Sequence, residues 1–132
     1  MPMYYKIDSD RGMLFVVAEG ETSQAERLAA MQTWLNDPEF RPGLQTLADF
    51  SESANVPTLA ELEEIVLYIK KFASAIGQKK IAIVTNRPVS FGVARQFGAL
   101  APGGFLTVQV FKDRDTALAW LAEGSEAASR SR

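Results

Sequence analysis

The 132-residue sequence predicts one α/β domain: a mixed, mostly parallel five-stranded sheet with helices packed on it, in the order β-β-α-β-α-β-α-β-α. Three observations carry that expectation. The apolar runs MLFVVA at 13–18 and IAIV at 81–84 read as strands covered on both faces. Longer segments with apolar residues at 3–4 spacing separate the runs and read as amphipathic helices. After an opening pair of strands, strand and helix alternate, which favours parallel pairing through right-handed crossovers.

Tyr4–Asp8 and Met13–Glu19 are the first two strands, expected antiparallel about the turn Ser9-Asp10-Arg11-Gly12, where Gly12 supplies positive φ. Ser23 and Glu26 form an S-x-x-E capping box that opens the first helix. Ala25, Leu28, Ala29, Met31, Gln32 and Leu35 are its mostly apolar stripe, and Asn36-Asp37-Pro38 stops it. Phe40, in the loop that follows, is expected to plug back onto the core. Gln45–Phe50 is the third strand, followed by a polar loop at 52–57.

Thr58 and Glu61 form a second capping box. Leu59, Leu62, Ile65, Val66, Ile69, Phe72, Ala73 and Ile76 then predict one continuous helix ending at Gly77. Glu61, Glu63 and Glu64 early, and Lys70 and Lys71 late, suit its dipole. Lys80–Thr85 is the fourth, central strand. Ser90 is the expected N-cap of a helix through Leu100, which Ala101-Pro102-Gly103-Gly104 breaks. Phe105–Phe111 is the fifth strand. Asp113 caps a last helix whose apolar face is Ala117, Leu118, Trp120 and Leu121. The domain is expected to span 1–122, with 123–132 a small, polar, disordered tail.

Composition narrows the chemistry. Hydrophobic residues make up 47% and charged residues 23%, the balance of an ordinary globular domain. The net charge of −2 lacks the positive field of a general nucleic-acid binder. With no Cys and no His, the chain has no disulfide, thiol or Ser-His nucleophile and no Cys- or His-ligated metal. MPMYYKIDSD lacks the basic and apolar regions of a signal peptide, and no run approaches the roughly 20 apolar residues of a membrane span. A cytoplasmic, non-enzymatic protein that needs no cofactor is therefore expected.

Several segments together carry a family resemblance: the opening hairpin with its apolar second strand, WLNDPEFRPG, LADFS before a capped helix, IAIVT followed by FGVARQF, and VQVFKDRDTALAWL. They cover nearly the whole chain before the tail. In this order the chain resembles the STAS domain, and more closely the SpoIIAA-like group of STAS/Sec14-type proteins. The resemblance implies a bacterial regulatory or ligand-binding module rather than an enzyme. Its Sec14 side implies a carrier of a lipid or other small apolar ligand. Anti-sigma-factor antagonists of the group carry a phosphorylated Ser in a D-S-S-G motif at a helix start. Here the matching stretch is Val56-Pro57-Thr58-Leu59, so Thr58 stands near that position without the Asp, second Ser or Gly.

The candidate site residues lie where strands end. Arg87, Ser90 and Arg95 surround the start of a helix, whose free N–H groups suit an anion; their competing roles are an ion pair, stacking of Arg95 on Phe91, and capping by Ser90. Asp49 and Ser51 end the third strand, and with Asn86 and Arg87 they are expected to line one crevice at the ligand-binding edge of the sheet. There Asp49 has Arg87 or Arg95 as a structural partner. Thr58 is explained by its cap alone. Phe91, Phe97, Phe40 and Trp34 serve the core, a ligand or the two-fold partner of a homodimer. Glu61, Glu63 and Glu64 form a solvated helix face. The expected occupant is a small anionic or apolar ligand or a protein partner, with no nucleic acid and no membrane insertion.

Overall fold

The computed structural model describes residues 3–77, 79–101 and 106–130, with side chains up to Glu123. The elements run β1 (Met3–Asp8), β2 (Met13–Gly20), α1 (Gln24–Leu35), β3 (Gln45–Ser53), α2 (Leu59–Lys71), α3 (Ala73–Ile76), β4 (Lys79–Val84), α4 (Pro88–Leu100), β5 (Leu106–Phe111) and α5 (Arg114–Arg130). The strands lie in sequence order across the sheet. β1 pairs antiparallel with β2, Met3 opposite Ala18 and Asp8 opposite Met13, and the remaining neighbours are parallel. This is the mixed, mostly parallel sheet expected from the sequence.

Each parallel connection steps one strand in the same direction. Right-handed crossovers that step one way place their helices on one face of the sheet. α1, α2 and α4 accordingly share a face, where Leu62, Val66, Ile69, Ala94 and Phe97 meet Leu14, Val16, Ala48, Ile81 and Ile83. Among the described elements α5 covers the other face, with Ala117 and Leu121 against Met13, Leu47, Ala82 and Val84. The period-2 alternation of a strand sorts the two sets, so Ile81 and Ile83 face one layer and Ala82 and Val84 the other.

Both capping boxes form. The Ser23 hydroxyl accepts the Glu26 N–H while Glu26 accepts the Ser23 N–H, and Thr58 and Glu61 do the same at α2. Gly12 takes φ 63° in the first turn. Asp113 accepts the Thr116 N–H at 2.8 Å at the start of α5.

Five local expectations differ from the structure. The continuous helix to Ile76 is broken at Phe72, whose N–H is shared between the Tyr68 and Ile69 carbonyls. The break turns α3 so that Ile76 reaches the core and its carbonyl accepts the Gly43 N–H at 2.8 Å. Leu59, counted in the apolar stripe, is 53% exposed because it lies in the first turn of α2, beyond the sheet. Ala25 and Ala29 of α1 are exposed, and no residue of that helix is fully buried. Ser90 is not an N-cap: α4 begins at Pro88, whose ring pre-sets the first helical φ, so Arg87 is the N-cap and Ser90 is carried inside. At the other end α5 continues to Arg130, past residue 123 where a tail is expected. Residues 102–105, which include Phe105 and most of the expected helix break, lie outside the described residues, as do 131–132.

The Ile76–Gly43 hydrogen bond draws two backbones together at Gly77. Gly77 has φ 71°, and a Cβ there would lie 2.8 Å from the Gly43 nitrogen and from Pro42 Cβ. Gly77→Ala combines a left-handed backbone cost with a clash, and should destabilise the fold by about 2–4 kcal/mol. Urea denaturation should show a lower midpoint at unchanged slope.

Candidate functional site

Between the sheet and the three-helix layer lies an apolar cavity of about 200 Å³. Val16, Ala18, Ala48 and Ile83 form its floor, and two of these are alanines, which leave room above the sheet. Trp34 of α1, Leu62 and Ile69 of α2, and Val93 and Phe97 of α4 supply walls. Met31, Trp34 and Leu35 of α1 line the cavity and also pack against the core around it, and no residue of this helix is fully buried. For scale, an apolar cavity of about 150 Å³ accepts a benzene ring.

Thr46 and Lys79 line the edge where the parallel strands begin, and the other polar groups of the lining gather where they end. Thr22 follows β2, Ser53 ends β3 with Asn55 two residues beyond it, and Ser90 sits in the first turn of α4, just beyond β4. Asn55 holds Thr22 by both backbone groups, its Oδ1 accepting the Thr22 N–H at 2.9 Å and its Nδ2 donating to the Thr22 carbonyl at 3.0 Å. Arg87 donates to the Ser53 carbonyl and closes the same rim. The Thr22 and Ser90 hydroxyls, in residues only 3% and 6% exposed, have no hydrogen-bond partner among the described residues. Arg27 of α1 also lines the cavity; its Nη1 donates to Gln24 Oε1 at 3.1 Å and lies 3.6 Å from Glu61 Oε1. Gln24 in turn donates to the Glu61 carbonyl at 3.0 Å, clamping the starts of α1 and α2 together.

At the opposite edge Lys79 opens β4 on the cavity face, in phase with Ile81 and Ile83. Burial pushes its ammonium down to about 8 from its ordinary 10.5, and no carboxylate among the described residues pairs with it.

The expected site residues do not share one place. Ser90 lines the cavity, and Arg87 braces its rim. Asp49 points to the α5 face. It accepts the Ser51 hydroxyl at 2.6 Å and the Ser51 N–H at 3.0 Å, and pairs with Arg114 at 3.0 Å. Burial works against its charge, but the Ser51 hydrogen bonds and Arg114 outweigh it and hold the carboxyl below its usual range. The partner of Asp49 is thus Arg114, not Arg87 or Arg95, because strand alternation sends residue 49 to the face that α5 covers. Asn86 is exposed after β4, and with Asp49 and Ser51 joined to Arg114 of α5 while Arg87 holds the Ser53 carbonyl, the structure does not bring Asp49, Ser51, Asn86 and Arg87 into one crevice. Arg95 is exposed at the edge between α4 and β5, where it lines a separate groove with Phe91, Gly98, Val108 and Gln109, its guanidinium 5.6 Å over the Phe91 ring. Thr58 is spent on its cap. Phe97 and Trp34 line the cavity, while Phe40 packs against its surrounding cluster.

Thr22, Arg27, Asn55 and Lys79 escaped the sequence reading. Only Lys79 left a legible signal: a lysine on the strand phase of Ile81 and Ile83, where an apolar residue is expected.

The chain matches no protein-family model. Over 82 residues it is 30% identical to sulfate adenylyltransferase subunit 1 from Teredinibacter turnerae; the match takes in 60% of this chain but spans only 18% of that protein's length. Its fold is similar to that of a DUF3478-family protein with a SpoIIAA-like fold from Shewanella loihica, at a TM-score of 0.60 and 18% identity, covering 90% of this chain and 91% of the other. The fold of this chain is therefore SpoIIAA-like.

Lys79 gives a pH signature. Its folded pKa lies below the unfolded one, so between about 8 and 10.5 the unfolded chain binds the proton more tightly. The lysine therefore costs stability below pH 8, and the cost is relieved as pH rises through that window. Lys79→Met should stabilise the protein at pH 7 by on the order of 1–3 kcal/mol, with the gain shrinking toward pH 10.5 in urea unfolding series.

Proposed function

We propose that this protein is a non-catalytic STAS-type module that binds a small apolar ligand in the cavity between its sheet and the α1–α2–α4 layer. The carrying observation is the cavity itself. Left empty, this partly open apolar pocket of about 200 Å³ keeps hydrocarbon side chains against water and forgoes their packing contacts. An occupant recovers that loss. The apolar walls select hydrocarbon, and the size admits a ligand of about ten non-hydrogen atoms rather than a whole diacyl lipid.

Two observations favour ligand capture over a phospho-switch at α2. The Thr58 hydroxyl already accepts the Glu61 N–H at 3.1 Å, and Glu61 stands beside it to repel a phosphate. An enzyme built on Asp49 has little support from a carboxylate that Ser51 and Arg114 already engage.

Isothermal titration with 1-octanol tests the proposal. The protein should show saturable one-site binding with Kd near or below about 1 mM, roughly 0.5 kcal/mol per non-hydrogen atom of ligand. Ala48→Leu, which builds up the cavity floor, should keep the fold by circular dichroism and lose at least about tenfold in affinity. Absence of saturable binding, or equal binding by the folded variant, would contradict the proposal.

A further inference from the structure

The cavity has two chemically different ends, and resting on the reading above, we infer that its ligand is a small amphiphilic monocarboxylate, held head-first between the Ser90 and Thr22 hydroxyls with Arg27 as the countercharge. Both hydroxyls line the cavity, are more than nine-tenths buried and have no partner among the described residues. A buried hydroxyl without a partner costs roughly 1–3 kcal/mol, so two at one end of an apolar cavity mark the place where a polar atom is missing. Their placement is not slack in the fold. Asn55 fixes the Thr22 backbone through two hydrogen bonds and leaves its hydroxyl free. Pro88 at the start of α4 carries Ser90 inward.

The character of the missing group follows from its neighbours. No side chain caps α4, so its first turn presents free N–H groups and the positive end of the helix dipole beside Ser90. The Arg27 side chain, 12% exposed, adds a guanidinium. Glu61 offsets part of that charge from 3.6 Å, but among the described residues only Nη1 of the guanidinium is engaged. Donors and positive charge prevail, which fits an acceptor-only anion better than an alcohol or an amine. A carboxylate also leaves nearly all of the cavity to the tail, which runs from this edge toward Ile69, Phe97 and Leu106. Lys79, at the far edge, is a competing cation, but Ile76, Leu35 and Leu106 share its end of the lining and no unpartnered hydroxyl does.

Titration with octanoate and 1-octanol, ligands of one tail and two heads, tests the inference. At pH 7 the intact protein should bind octanoate at least about fivefold tighter than 1-octanol. Ser90→Ala and Thr22→Val should each weaken octanoate by about fivefold to tenfold and leave 1-octanol within about twofold. Equal affinities for the two ligands in the unmodified protein would overturn the head assignment while the cavity reading stands. If neither ligand binds, both fall. If Lys79→Met removes the preference for octanoate and Ser90→Ala does not, the head lies at the opposite end and the inference is wrong.

Discussion

The handedness of parallel crossovers governs this molecule. Because β2, β3, β4 and β5 succeed one another in a single direction, right-handed connections commit α1, α2 and α4 to one face and leave α5 to cover the other. The two faces then solve different packing problems. Opposite α5 the sheet offers Met13, Leu47, Ala82 and Val84, and Ala117 and Leu121 settle onto them. On the three-helix face the middle of the sheet carries Ala18 and Ala48, too small to reach the layer above, and the void opens there. The cavity is thus a product of topology and of two small floor residues, not of a loop insertion.

The same parallel arrangement gathers the polar groups. Strand ends and helix starts converge on one edge, so residues distant in sequence, Thr22, Ser53, Asn55, Arg87 and Ser90, form one rim. Strand alternation decides which strand-end side chains join it. Asp49 lies one phase away from Ala48, and that single step exchanges the cavity for the α5 face and Arg114 for a ligand. Charge at the rim is balanced rather than bare: Arg27 is shared with Gln24 and Glu61, which also tie α1 to α2.

Much of the fold was legible because its signals are local. The capping boxes at Ser23 and Thr58, the Gly12 turn and the runs MLFVVA and IAIV each depend on a few neighbouring residues, and each leads to the observed element. The break at Phe72 was not legible, since it serves a distant contact between Ile76 and Gly43. The site was legible only in part. Ser90 was singled out for the right helix but for capping, because a Ser at a helix start looks alike whether it caps from outside or points inward one turn later; Pro88 decides between them. Arg27 and Thr22 gave no sign, because nothing in a helix stripe or a pre-cap position says which side faces a void. A cavity is an absence of atoms, and sequence periodicity records only their presence.

The central claim is that the space under the α1–α2–α4 layer is a ligand site, and methyl NMR locates it directly. With Ile, Leu and Val methyls labelled, addition of octanoate should shift Val16, Leu62, Ile69, Ile83 and Val93 and give intermolecular NOEs from them to the ligand tail, while Leu47 and Leu121 on the α5 face stay in place. Shifts confined to the α5 face or to exposed Leu59 and Leu67, or no saturable shift at all, would contradict the account.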